Sequence, residues 1–339
     1  MSSAPRRAKP RKSSPLWRVL KGLYIALFAL SLVVVVAYAA LNVFAPAPTV
    51  DSQVTFPAAP SDPVQTDRPA DADPEPDESE QLVLNRRKGV YTCLLLGVAD
   101  IGGSDTIMLG VFDTGNKTAS LISIPRDTVV AYEGSYIKIN AAYSYGGAEA
   151  VAGCVAETLG VPVDYWMSIN LKAFESIVNQ IGGIYFTVPV DMDYEDPYQD
   201  LAIHVKAGYQ LLNGKQAVGV MRCRSCYPNA DIGRSATQRA FLTALVKQTI
   251  SVSNVDKVTS LINTFSQYVR SDMSLNNMVY FGTQAVGMDL DSALETAGLP
   301  GEWINPYWEL DDEATLELVN GLGIYEEEVP ARVLRIIHP

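Results

Sequence analysis

The chain has 339 residues, 48% of them hydrophobic, and a formal net charge of −12. An acidic balance of that size excludes binding to nucleic acid or anionic lipid through bulk charge, so any anion must be captured locally. Four cysteines (Cys93, Cys154, Cys223 and Cys226) permit disulfides in an exported domain without fixing a pairing. A zinc site built on Cys223 and Cys226 would need two more ligands, and the only histidines are His204 and His338.

Residues 1–21 hold seven basic residues and no acidic one, and form an expected cytoplasmic tail. Gly22 to Phe44 carries no charge and would span roughly 34 Å as a helix, enough for one membrane crossing. The basic flank lies on the N-terminal side, so the N-terminus is expected in the cytoplasm and the rest outside. A cleaved signal peptide ending at Ala37-Tyr38-Ala39 fits less well, because such apolar cores run about 7–15 residues. Without the tail, 19 basic residues face 38 acidic ones. Residues 45–85 are rich in Pro, Ala and Asp and read as an extended, self-repelling tether.

From residue 86 to 339 the pattern is that of one large α/β domain with a central sheet. Val90 to Val98 reads as a buried strand, and Thr106 to Phe112 and Thr118 to Ile124 as two strands around an Asp113–Lys117 hairpin turn. Helices are expected over Ala148 to Leu159 and Leu171 to Ile181, with Gly160 and Gly182 as their stops. A strand follows at Ile184 to Val190. Lys206 to Leu212 then leads to a turn at Asn213-Gly214, a short helix, a strand from Gly219 to Arg224, and a long helix over Ala236 to Ser251.

Three groups of residues carry chemistry. Asp100 and Asp105 follow the first buried strand among glycines, a setting for a hard cation such as Mg²⁺ or, equally, for turn capping. Arg126 and Asp127 follow Pro125 at the rim of another strand, in a salt bridge or facing an anion. Arg222, Arg224, Arg234 and Gln238 crowd one stretch that contains no lysine. Guanidinium forks hold phosphate oxygens in two-point contacts, and Arg234 and Gln238 share a helix face near its N-terminus. As strand residues, Arg222 and Arg224 would point to one side. Together they suit a diphosphate, with an internal salt-bridge network as the alternative. His204 reads as structural, and Asp191 to Asp196 as a solvated loop.

These segments resemble the LytR–CpsA–Psr family of cell-wall glycopolymer ligases. The resemblance is carried by Leu-Leu-Leu-Gly97 with Ser104-Asp105-Thr106, Ser123-Ile-Pro-Arg126-Asp127, Lys138-Ile-Asn140 through Gly147, and Ile181-Gly-Gly-Ile184. Gly208 to Gly214, Arg222-Cys-Arg224 and Asp231-Ile-Gly-Arg234 with Gln238 complete it. It implies a three-layer α/β/α domain around a mostly mixed sheet, preceded by one transmembrane helix. It also implies Mg²⁺-assisted transfer of a glycosyl phosphate from a polyprenyl-diphosphate-linked glycopolymer to a peptidoglycan sugar hydroxyl. By position, Asp105 and Asp100 would serve the metal, and Arg126, Arg222, Arg224, Arg234 and Gln238 the diphosphate. Asp231 is the candidate general base. The helices at 171–181 and 236–251 are expected either to line a slot for the lipid or to pack the core. A hydrolase of polyprenyl diphosphates and a non-catalytic carrier-binding protein remain alternatives. The chain departs from the family pattern at Asp100, which follows Gly97 by one residue more than usual, at Thr237, and at Cys223 and Cys226.

Overall fold

Two short pieces of the expected tether are strands. The computed structural model describes residues 46–56, 81–98, 103–196, 201–223, 225–227, 231–250, 269–286 and 288–338. Within them β1 (Gln53–Phe56) pairs antiparallel with β2 (Leu82–Asn85), which corrects the reading of 45–85 as wholly unstructured. The reason is apolar: Val54, Phe56 and Leu82 pack on the main core, and the Phe56 ring lies edge-on to Tyr325 at 6.4 Å. The expected membrane helix lies outside the described residues. Among the described residues no helix is long and apolar enough to cross a membrane.

The central strands follow the apolar runs. β3 (Val90–Val98), β4 (Ser104–Asp113) and β5 (Thr118–Ile124) form an antiparallel meander. The hairpin of β6 (Val129–Tyr132) and β7 (Ser135–Lys138) leads into α1 (Ile139–Leu159). β8 (Tyr165–Asn170) returns parallel to β3, as expected of a strand reached by a helical crossover. α1 runs nine residues earlier than the expected helix start at Ala148. It is broken at Gly146–Gly147, where Gly147 takes φ 70° and ψ −154°, a conformation closed to residues with a Cβ. Gly160 ends it in the left-handed region, and a Cβ there would lie 2.1 Å from Val333 Cγ1.

The second half adds a satellite of small elements. α2 (Leu171–Gln180) starts on Asn170, whose side chain accepts from the Ala173 N–H. β9 (Ile184–Val188) pairs with β12 (Gly208–Leu212), and β10 (Met192–Asp196) with β11 (Leu201–Val205). α3 (Gly214–Arg222) and α4 (Asp231–Ile250) follow. β13 (Val269–Ser271) adds antiparallel to β8; α5 (Leu275–Ala285) and α6 (Leu290–Ala293) precede β14 (Leu294–Gly298), which lies parallel to β5. A hairpin of β15 (Gly301–Ile304) and β16 (Tyr307–Leu310) and then α7 (Asp312–Gly321) close the series. The principal sheet has the order β13-β8-β3-β4-β5-β14, so the chain is mixed α/β around a mixed sheet.

Ile107, Leu109 and Val111 of β4 belong to the core shared with α1. Met108, on the opposite face of β4, is equally buried, so both faces of the sheet are covered. A second core joins α2, α3, α4 and the β9–β12 pair around Phe241, whose ring is 5.6 Å from Phe174 and 5.0 Å from Phe186.

Two further sequence expectations are overturned: Met192–Asp196, expected within a solvated loop, is the strand β10, and a second strand is absent where it was expected. Gly219 to Arg224 is not a strand: Gly219 to Arg222 is the second half of α3. A capping box starts that helix, with Asn213 accepting from the Gln216 N–H and Gln216 accepting from the Asn213 N–H. Burial of Ala217 and Val220, three apart, then fixes the helical period over the β-branched composition. The argument that Arg222 and Arg224 share a strand face falls with it.

Candidate functional site

The site grows from an irregularity at the start of β4. Gly97 pairs with Thr106 but Val98 pairs with Ser104, so Asp105 is the extra residue of a bulge. A bulge re-aims its side chain out of the regular alternation. Ser104 is fully buried while Asp105 points into the open. Gly97 makes the close pairing possible, since a Cβ there would come within 2.9 Å of Thr106 Cβ.

Arg126 leaves the neighbouring end of β5 and meets Asp105. Its Nη1 is 2.6 Å from Asp105 Oδ1, with the two side chains 22% and 48% exposed. The backbone beneath is pinned independently of that contact. Thr128 donates its N–H and its hydroxyl to the Pro125 carbonyl at 3.0 and 2.6 Å, and Asn140 donates its N–H to the Arg126 carbonyl at 3.1 Å. Asp127 lies on the other side, 3.6 Å from Arg126 Nε and 3.0 Å from Lys138 Nζ. The salt bridge between Arg126 and Asp127 is one of the two arrangements expected from the sequence, whereas Lys138 was not singled out as a site residue; its signal was a lysine at a strand end.

The second set of donors arrives on α4. Arg234 is buried, and its Nη2 donates to the Asp105 backbone carbonyl at 3.4 Å. Thus the guanidinium of Arg126 and that of Arg234 reach one residue, the first through its carboxylate and the second through its main chain. Gln238 is buried one turn further on, its Nε2 donating to the Met221 carbonyl at 3.0 Å. This bond holds the C-terminal turn of α3, where Arg222 sits, against α4. Thr237 is also buried: its hydroxyl accepts from Tyr227 at 2.8 Å and donates to the Gly233 carbonyl at 3.0 Å. The position is a packing joint here, its hydroxyl bonded on both sides. Arg239 turns another way, its Nη1 lying 3.2 Å from where a Cβ on Gly298 would stand. Burial lowers its guanidinium pKa from the usual value.

Asp100 and Arg224 lie outside the described residues, as does the side chain of Asp231. Among the described residues no group of three or more His, Cys, Asp or Glu could by itself hold a metal ion. Asp105 alone does fit a Mg²⁺ that takes one or two carboxylates and completes its shell with phosphate oxygens and water. His204 lies exposed between Asp193 at 2.7 Å and Glu195 at 3.2 Å, across the β10–β11 ladder, in keeping with a structural role.

A cleft of about 450 Å³ opens between α4 and the β9–β12 pair. Ala236, Ala240 and Ala244, one per helical turn, face Tyr185, Phe186 and Tyr209 across it. Gln248 ties the two walls, accepting from the Tyr185 N–H at 2.8 Å and donating to its carbonyl at 2.9 Å. By contrast Phe174, Ile177 and Val178 of α2 are core.

Cys223 and Cys226 form a disulfide with Cα atoms 5.6 Å apart, closing the loop that leaves α3. Cys93 and Cys154 are free thiols. Burial pushes them up to about 12 and about 11, with Asp272 and Asp164 near the first and Glu157 near the second adding to the rise. Both therefore stay protonated at neutral pH and are poor nucleophiles. Iodoacetamide is expected to label no cysteine of the native protein within minutes, two after unfolding without reductant, and four after unfolding with it. Fast labelling of a native thiol, read by intact-mass spectrometry, would contradict this.

Comparison with known proteins places residues 63–322 within the model described as the LytR_cpsA_psr family. The chain is 32% identical over 204 residues to a Bacillus subtilis (strain 168) protein named polyisoprenyl-teichoic acid--peptidoglycan teichoic acid transferase TagV. That match covers 57% of this chain and 52% of the relative, so the chain spans about half the length of TagV. It is 28% identical over 254 residues to TagT of the same organism, covering 70% of this chain and 78% of that one. The crystal structure of B. subtilis TagV superposes with a TM-score of 0.62 at 28% identity, covering 70% of this chain and 96% of that chain. A structure described as TagT bound to LI-WTA gives 0.57 at 25% identity, covering 69% and 90%.

Proposed function

The chain belongs to the LytR_cpsA_psr family, and on that premise we propose that it moves a wall glycopolymer, as glycosyl phosphate, from a polyprenyl-diphosphate carrier to a sugar hydroxyl of peptidoglycan. The observation that carries this reading is the meeting of Arg126 and Arg234 on Asp105. Two guanidiniums brought to one bulge at the sheet's rim make a local anion site in an acidic protein.

The carrier's diphosphate displaces the Asp105 carboxylate from Arg126 and is gripped by Arg126 and Arg234, with Gln238, Arg222 and Arg224 on the α3–α4 side. The acceptor hydroxyl oxygen attacks the phosphorus that bears the glycan. The bond from that phosphorus to the bridging oxygen breaks, and polyprenyl phosphate leaves with the electron pair. Asp231 takes the hydroxyl proton. Such a reaction needs chiefly alignment and charge neutralisation, which fixed guanidiniums provide without reorganisation. When bound, Mg²⁺ held by Asp105 and Asp100 would neutralise further charge on the phosphate oxygens. The cleft beside Ala236, Ala240 and Ala244 suits the start of the isoprenoid chain. Residues 22–44 would anchor the protein with its N-terminus in the cytoplasm and the three-layer α/β/α domain outside, at the wall.

The test is the purified full-length protein with a polyprenyl-diphosphate disaccharide, Mg²⁺ and uncrosslinked peptidoglycan oligomers. Polyprenyl phosphate together with glycan linked to peptidoglycan is the expected outcome. Release of inorganic phosphate without linked glycan, or carrier bound without turnover, would overturn the reading.

A further inference from the structure

The β15–β16 hairpin is fastened to the segment that bears Arg126. Trp308 donates its backbone N–H to the Asp127 carbonyl at 2.9 Å and bridges in parallel to Thr128. Trp303 stands opposite Trp308 in the hairpin register, so both indoles leave the same face. Their surroundings differ. Trp308 packs on the main core, whereas Trp303 is 52% exposed.

Trp303 is not isolated from the chemistry. Lys138 Nζ lies 5.5 Å from its ring centroid, within cation–π range. The same ammonium is 3.0 Å from Asp127 Oδ1, and Asp127 Oδ2 is 3.6 Å from Arg126 Nε. An unbroken run of charged contacts thus joins the indole to Arg126 and Asp105. Tyr136, two residues before Lys138 on the same strand face, is exposed as well.

We propose that Trp303 is a stacking platform for a pyranose ring at the phosphoryl-transfer centre, with Lys138 donating to the ring's hydroxyls and Asp127 accepting from them. The C–H face of a sugar ring is apolar and slightly electropositive, and indole presents a broad face of opposite character. Phosphate charge is already met by Arg126 and Arg234, so a ring beside it needs area and hydroxyl partners rather than another cation. The platform rests on the proposed transfer only for the identity of the sugar. Donor and acceptor both carry pyranose rings next to the reacting atoms, and binding measurements separate them.

Full-length wild type, Trp303→Ala and Trp303→Tyr would be titrated calorimetrically with a peptidoglycan glycan-strand tetrasaccharide and, separately, with a polyprenyl-diphosphate disaccharide. Trp303→Ala is expected to weaken one of the two about tenfold, with Trp303→Tyr recovering most of it and the thermal midpoint unchanged. Loss confined to the tetrasaccharide assigns the platform to the acceptor, and loss confined to the carrier assigns it to the donor glycan. Unaltered affinity for both would overturn the proposal. So would a loss that tyrosine does not rescue and that accompanies a lowered thermal midpoint. Saccharide binding through Trp303 in a protein that transfers no glycan would sink the proposed function and leave the platform standing.

Discussion

Arg126→Ala is expected to cut glycopolymer transfer on the order of 10²–10³-fold while leaving the protein folded. The side chain ends at the Asp105 carboxylate, whereas its backbone is held by the Pro125, Thr128 and Asn140 bonds that alanine keeps. A partly exposed ion pair such as Arg126–Asp105 contributes at most about 1 kcal/mol, so the thermal midpoint should shift by only a few degrees. Arg126→Lys should recover little, because an ammonium cannot place two parallel donors on a phosphate. Rates of polyprenyl phosphate release measured beside thermal melts decide the matter. An alanine variant that transfers at the wild-type rate removes Arg126 from the site.

Asp164→Asn should be the most destabilising of the single changes considered, by about 3–5 kcal/mol, because it strands a buried guanidinium. Arg86 and Asp164 have side chains only 3% and 6% exposed, and two parallel bonds of 2.6 and 2.7 Å join them. Asp164 also accepts from the Thr92 N–H at 2.8 Å and its hydroxyl at 3.0 Å, and Arg86 donates to the Val90 carbonyl at 3.2 Å. The pair therefore locks the end of β2, the start of β3 and the entry to β8 together. Against a typical total of about 5–15 kcal/mol, such a loss would visibly lower the urea midpoint. Arg86→Met combined with Asp164→Leu should recover much of it, since apolar replacements leave no uncompensated charge. A shift below about 1 kcal/mol for Asp164→Asn would show that water reaches the pair.

The sequence was informative where chemistry is local. The apolar run of β3 and the polar turn before β5 located the meander to within a residue or two, because burial on both faces demands apolar continuity. The α3 error lay in its length: the turn at Asn213-Gly214 and a short helix are expected, and the capping box of Asn213 and Gln216 starts a helix that runs on to Arg222 through the expected strand. Other features depend on pairing across the chain. The bulge at Asp105 exists only in the register between β3 and β4. Lys138 meets Trp303 only because the β15–β16 hairpin docks on Asp127 and Thr128. Thr237, a departure from the family pattern, finds its partners Tyr227 and Gly233 only in the fold.

The Asp105–Arg126 contact has a consequence for selectivity. A carboxylate already seated on the guanidinium acts as an internal competitor, tethered at high effective concentration. A ligand with a single weakly charged group gains little by exchanging with it, whereas a diphosphate engages Arg126 and Arg234 at once and wins the exchange. On the proposed function, such a resting site would favour a diphosphate-linked carrier over simple monoanions.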